Sequence, residues 1–233
     1  MRACALALAV WPVYAVAQPV TEAWFDAPTT RYDHGILGDA VEWGALRFRA
    51  GGQTFEITLT DDHVFEDWQP RLWDVTGDGQ PEIVVIETDM ARGAALAIYG
   101  PKGKIAETPH IGQTHRWLAP IGAADLDGDG LIEVAYVDRP HLAKILTVWR
   151  FVDGALVPVA TTSGLTNHRI GETDIAGGIR DCGQGPEMIT ANADWTRISA
   201  TSLKDGALVP RDIGAHVDRA TFAAAMRCET LKD

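Results

Sequence analysis

The sequence predicts an all-β fold, a small β-propeller of about four blades, four-stranded each, with a short C-terminal helix. Three observations carry this. The hexapeptide DGALVP occurs at residues 153–158 and again at 205–210, an offset of 52. Glycine turns at Gly52, Gly103, Gly154 and Gly206 extend that spacing at 51, 51 and 52. Between the turns lie short apolar, β-branched runs instead of helical periodicity. Radial repetition of such units accounts for the period. A β-sandwich would supply the strands and leave the period unexplained.

Taken in order, residues 1–17 read as a secretory signal. Arg2 gives the positive start, residues 3–16 form a short apolar region, and Ala15-Val16-Ala17 gives a small-x-small cleavage pattern. The apolar run is too short to span a bilayer, and no later segment is a transmembrane candidate. Residues 18–233 then form one domain of repeat units at about 18–62, 63–114, 115–167 and 168–215, followed by a helix within 218–231. In the second unit the strands are 83–86, 94–99 and 104–108. The third repeats them at 134–137, 145–151 and 155–160, and the fourth at 188–191, 195–203 and 207–211. Inner strands at 71–73 and 121–124 complete about four per unit. Alanines at 220 and 223–225 with Asp218 as N-cap mark the helix over 219–229. The segment TTRYDHGILGDAVEWG, residues 29–44, has no repeat partner. It is either the strand that closes the ring with the C-terminus or a binding loop, and closure is favoured because the first unit otherwise lacks strands.

The chain has 233 residues and a formal net charge of -12, without the Lys/Arg clustering that nucleic acid or an anionic membrane surface requires. Cys4 lies in the signal, with no apolar segment before it as a lipoprotein cysteine would need. Cys182 and Cys228 remain, an even pair read as one disulfide in an oxidising compartment. Such a bond would contribute on the order of 4 kcal/mol in the chain-entropy model and would fasten the helix to the last unit.

Two loops concentrate negative charge. In DLDGDGLIEV the acids Asp125, Asp127 and Asp129 fall at positions one, three and five, Gly130 at six, the Leu131 carbonyl at seven and Glu133 at nine. Alternate carboxylates in a tight loop converge on one point and suit a hard cation, Ca²⁺ first and Mg²⁺ or Mn²⁺ behind. The copy at Asp74, Thr76, Asp78, Gln80 and Glu82 has one acid fewer and is expected to bind more weakly. A strand follows each loop, so neither is a helix-loop-helix EF-hand. In the fourth unit the corresponding stretch, residues 179–187, keeps only Asp181 and Glu187 and gains Cys182. That copy is expected to have lost the metal.

DVTGDGQPEIVV and DLDGDGLIEVAYV resemble FG-GAP repeats of the VCBS type, the integrin α-like propeller blades of many exported bacterial proteins. The specific resemblance covers residues 68–160. Glu82 and Glu133 stand where the family usually has Asp, and its Phe-Gly and Gly-Ala-Pro signatures are not recognisable. The resemblance implies a calcium-stabilised β-propeller serving in binding or adhesion; it does not imply a reaction.

Histidines recur with the repeat at His63, His115, His168 and His216. In a closed ring, equivalent positions face one another, so these side chains, with Arg116 and Arg169, could line a ligand mouth and take a transition metal or an anion. Inheritance by duplication explains the spacing equally well. Trp68, Trp73, Trp117, Trp149 and Trp195 are assigned to packing between blades, while Trp24 and Trp43 lie outside the clear repeats, where one of them could stack a sugar or peptide. Nucleophile elbow, HExxH and phosphate-cradling loop are all absent from the sequence. Adjacent acids such as Glu66 and Asp67 point to opposite faces and make poor acid/base partners.

The sequence thus predicts a periplasmic or secreted, non-catalytic binding module, monomer or homodimer, for a protein or glycan ligand. The rivals are a glycan- or peptide-acting hydrolase or lyase using the propeller mouth, and a structural component of an envelope assembly.

Overall fold

A computed structural model describes residues 18–233; the expected signal segment lies outside the described residues. The described residues are all-β, with seventeen strands in three sheets and one short helix. The first sheet holds β1 (Val20–Thr29), β2 (Glu42–Ala50), β3 (Gln53–Thr58), β4 (His63–Phe65), β5 (Arg71–Trp73), β6 (Glu82–Asp89), β7 (Gly93–Gly100) and β8 (Gly103–Glu107). The second is the four-stranded meander β9 (Leu118–Ala124), β10 (Glu133–Asp138), β11 (Ile145–Val152) and β12 (Ala155–Ser163). The third contains β13 (Leu165–Thr166), β14 (Gly178–Asp181), β15 (Pro186–Asn192), β16 (Arg197–Lys204) and β17 (Ala207–Ala215), and α1 spans Arg219–Met226.

Three units share one plan, an inner strand followed by three antiparallel neighbours. In the second sheet the inner strand is continuous. In the other two it is split, because both β4 and β5 pair with β6, and both β13 and β14 pair with β15. The first unit departs from the expected separate four-stranded blade. It is a three-stranded meander whose β2 pairs with both β3 and β4, Trp43 standing opposite Phe65, so its hydrogen bonding runs on into β6.

Alternation explains why β6 and β7 are buried along their whole length. Val84, Ile86, Leu96 and Ile98 face one core, with Trp117, Val134 and Val148 of the second sheet. Ile83, Val85, Ala97 and Tyr99 face another, with Leu46, Phe48 and Phe65 of the first unit. A strand with side-chain period two and two packed faces favours apolar residues on both, as at residues 83–86, while Glu82, Glu87, Thr88 and Asp89 are buried polar groups towards the ends of β6. The same division recurs in β15, where Met188 joins the central core while Ile189 and Ala191 pack under Phe222 and Ala225 of α1. The helix thus covers the outer face of the last sheet. The outer strands β8, β12 and β17 are largely exposed edges.

Asp218 caps α1, its carboxylate accepting from the Thr221 N–H in a capping box. The helix stops at Met226, short of the expected Glu229, because Cys228 takes a positive φ of 61°. That turn carries it to Cys182, just beyond β14, and the disulfide forms with a Cα–Cα distance of 5.7 Å. Gly177 is the tightest backbone approach: at φ 82°, a Cβ there would lie 1.9 Å from the Ile189 carbonyl oxygen. Trp195, expected inside a strand, sits in the turn before β16 at φ 62°, with the Arg169 guanidinium 4.2 Å from its ring centroid.

Residues 30–41 form no strand, so the expected closing strand is replaced by a loop between β1 and β2. It touches three successive units. His34 Nδ1 bonds the Glu66 carboxylate, the Tyr32 hydroxyl accepts from the His115 N–H at 2.6 Å, and the Gly171 N–H donates to the Ile36 carbonyl. Among the described residues no helix is long and apolar enough to cross a membrane.

Candidate functional site

Each acidic loop joins an inner strand to its neighbour, and its shape is set by its first aspartate. Asp125 accepts from the N–H groups of Gly128, Asp129 and Gly130 at 2.7, 3.1 and 3.0 Å, and Asp74 does the same with Gly77, Asp78 and Gly79. These bonds wrap the backbone around one carboxylate, which requires left-handed residues. Gly77, Gly79, Gly128 and Gly130 supply them, with φ between 74° and 89°. Asp129 and Asp78 then accept from the N–H groups of Leu131 and Gln80.

Asp125, Asp127 and Glu133 bring carboxylate oxygens within 4.8 Å of one another. That donor set, hard oxygen on a tight loop, fits a divalent cation such as Ca²⁺. No equivalent convergence of Asp74, Asp78 and Glu82 occurs, and Thr76 instead donates its hydroxyl and N–H to Glu82. Glu133 is held by the Leu126 N–H at 2.8 Å and by Arg150, whose guanidinium also reaches Asp127 and Asp129. The arginine therefore supplies part of the positive charge that the loop demands. Burial pushes the carboxyls of both Glu82 and Glu133 up, against hydrogen bonds that lower them. In the fourth unit Glu187 is paired with Arg180 at 3.1 Å and Arg211 at 2.8 Å. One buried glutamate at the start of the second strand is thus a constant of the three units: arginines pair with Glu133 and Glu187, whereas Glu82 is held by the Val75 and Thr76 N–H groups and the Thr76 hydroxyl. Sequence reasoning missed Arg150. The signal was available, because pairing residues 133–138 with 145–150 as a hairpin puts Arg150 opposite Glu133.

The recurrent histidines are divided among different neighbourhoods. His63 stacks near His110, His115 near His34 and Tyr32, His168 near His141 and Trp117, and His216 against Trp195 and Phe222. No two of the four are paired with each other in these groupings. Of the six residues expected to share a mouth, His115 and Arg116 line a cavity of about 180 Å³. His34, His141 and Arg139, whose guanidinium is paired with Asp138 at 2.8 Å, add nitrogen-bearing side chains to its wall, and Ile36, Trp117, Leu142 and Ile170 supply apolar surface. No acid lines it. Burial pulls the His141 imidazole down to about 4, with the neighbouring His168 adding to the effect, and it lowers His168 as well.

Beneath this cavity lies a group of buried acids. The Glu66 side chain is 0% exposed and bonds His34 Nδ1 and the Thr88 hydroxyl, while Asp67 turns the other way to Arg71 and the Ile86 N–H. The neighbours thus have opposite partners, as their adjacency predicts, yet both are buried. Burial raises the Glu66 carboxyl, opposed by His34. Glu42 is pushed up to about 9 by burial and by the charges of Glu66, Asp39 and Asp67. Trp117 donates its indole N–H to the Glu66 carbonyl at 2.7 Å, tying the second sheet to this group.

Residues 74–136 match the FG-GAP-like repeat, and no curated protein matches the chain. The matched segment begins at the first acid of one loop, takes in the second loop entirely and ends inside β10.

Proposed function

We propose that this FG-GAP repeat protein is an exported, calcium-stabilised interaction module whose blade-like units are arranged radially, and that it holds an acidic ligand in the cavity beside His115. One observation carries the binding reading. Arginines and histidines share that cavity with apolar walls and no acid, which favours a carboxylate-bearing glycan or peptide with some apolar surface. The radial arrangement is supported by the loop 30–41, which meets Glu66, His115 and Gly171 in three successive units. A single short loop reaches all three only near an axis that the units surround. Calcium is supported by the converging oxygens of Asp125, Asp127 and Glu133, and export by the disulfide.

The test is an array of acidic and neutral glycans and peptides. Acidic ligands should bind wild type and be lost by the double variant Arg116→Ala/Arg139→Ala. Binding confined to neutral ligands, or unaffected by the double variant, overturns the reading. For calcium, native mass spectrometry and melting with and without chelator decide: no bound ion and an unchanged melting temperature rule it out.

A second reading rests on His34. It lines the cavity while its Nδ1 is taken by the buried Glu66, the arrangement that orients an imidazole as a general base. In that case the module is a hydrolase or lyase for the same acidic ligands. Turnover abolished by His34→Ala would establish it, and binding without turnover would exclude it.

A further inference from the structure

His63, Asp89 and His110 stand apart from the cavity and from the acidic loops, and they converge. One ligand atom from each lies within 4.8 Å of the other two; His63 and His110 are half-buried and Asp89 is buried. Their positions follow from the fold. His63 opens β4 and Asp89 closes β6 directly opposite it in the antiparallel register. His110 comes from the connection between β8 and β9, a neighbourhood held by the Ile111 N–H bond to the Ala94 carbonyl.

The hydrogen bonds decide which imidazole atoms are free. His110 Nδ1 lies 2.7 Å from the Gly93 carbonyl oxygen, which can only accept, so Nδ1 carries the proton. His63 Nδ1 lies 2.9 Å from a carboxylate oxygen of Asp62, which fixes the same tautomer. With the proton on Nδ1, the neutral form of each ring presents Nε2 as a bare lone pair. His63 Nε2 is 3.8 Å from Asp89 Oδ2, too far for a hydrogen bond. It is near the separation of about 3.4 Å that two ligands at metal bonds of about 2.1 Å would show. Asp89 is itself fixed, its Oδ1 accepting from the N–H groups of Ala91 and Arg92. A carboxylate or carbonyl that accepts from the distal N–H is the usual outer support of a metal-binding histidine.

We propose that His63 and His110, through Nε2, and Asp89, through Oδ2, form a binding site for a divalent transition-metal ion, Zn²⁺ being the fitting member. Two borderline nitrogen donors and one oxygen select such an ion over calcium or magnesium, which take oxygen ligands. Three protein ligands leave a coordination position for water or an outside ligand. Two cations are close. Arg92 donates Nε–H to Asp89 Oδ2 at 2.6 Å, and Arg31 bonds the Thr60 and His63 carbonyls. Arg92 has a side chain 60% exposed, so it can yield Oδ2 to the metal and move into solvent. This site is independent of the acidic ligand and of calcium.

The protein is stripped with chelator, dialysed, and titrated with Zn²⁺ in excess Ca²⁺, with bound metal measured by mass spectrometry. Stoichiometric Zn²⁺ is expected, lost by at least about 100-fold in affinity in His110→Ala and Asp89→Asn, and weakened roughly 10–100-fold in Asp62→Asn, which only supports the His63 ring. Circular dichroism verifies that each variant is folded. Cu²⁺ loaded in place of Zn²⁺ should show electron paramagnetic resonance coupling to two imidazole nitrogens, and to one in His110→Ala. Absence of stoichiometric Zn²⁺ in wild type, or Zn²⁺ and Cu²⁺ signals unchanged by His110→Ala, overturns the proposal. Loss of the metal on replacing His115 or His141 instead would do the same.

Discussion

Replacing Arg150 by Met keeps most of the side chain's length and apolar stem and removes its charge. Its three acidic partners are not equivalent. The Asp127 and Asp129 side chains are 21% and 40% exposed, so each of those pairs contributes at most about 1 kcal/mol. The Glu133 side chain is 0% exposed, and stranding it costs about 3 kcal/mol. Proton uptake by Glu133, already raised by burial, limits any larger loss. For a chain of this length about 1 kcal/mol corresponds to roughly 2–4 °C, so the variant should melt roughly 6–12 °C below wild type in chelator. The sign with pH is determined. Arg150 stabilises ionised Glu133, so the gap is present above the Glu133 pKa and closes as pH falls through it. Calcium should also narrow the gap, because a bound cation supplies the charge that the arginine gave. Thermal unfolding followed by tryptophan fluorescence reads all of this. A variant that melts with wild type in chelator at neutral pH would refute the assignment of Arg150 as the loop's resident cation.

Removing the disulfide with Cys182→Ser/Cys228→Ser, across a separation of 46 residues, should cost about 4 kcal/mol in the chain-entropy model, read as a shift in the denaturant midpoint without a change of slope. Glu42→Gln should flatten the pH dependence of stability. With a folded pKa raised to about 9, wild type has its full stability below the ordinary carboxyl range and loses it as pH rises toward 9. The slope approaches 1.4 kcal/mol per pH unit, roughly, for one such group; parallel melting curves for the two proteins across that range would contradict this. Gly177→Ala combines a Cβ at 1.9 Å from the Ile189 oxygen with a positive φ, and should give little folded protein, whereas Gly206→Ala, with open space at its Cβ, should fold with a modest penalty.

Local patterns were legible in the sequence where one short segment sufficed to specify them. The runs at 83–86, 94–99 and 134–137 lie within β6, β7 and β10, since continuous β-branched stretches between glycine turns have few alternatives. Asp218 announced the helix, and two cysteines left only one pairing between them. What was not legible depends on contacts between units. Nothing local indicates that β4 and β5 would share one edge of β6, because the break between them is made by Glu66 and Asp67 turning inward to His34 and Arg71. The sequence shows only that these neighbours point to opposite faces; the partner that buries Glu66, His34, stands in a loop with no repeat. The histidine period was real, but each ring settled against a side chain outside the period. His34, His110 and His141, which the repeat does not contain, decide where the recurrent histidines are useful.

The continuous hydrogen bonding from β1 to β8 bears on how the molecule comes apart. A repeat array ordinarily frays from its ends, one unit at a time. Here the first unit has no independent boundary, since β2 leads through β4 into β6, whereas the other end is clamped by a covalent bond between the turn just after β14 and the segment after α1. Amide exchange should therefore report two cooperative blocks of very different character. Strands β1–β8 should open together as the slow, indivisible half. The last sheet should hold while its cysteines are joined and become the first to open once they are reduced.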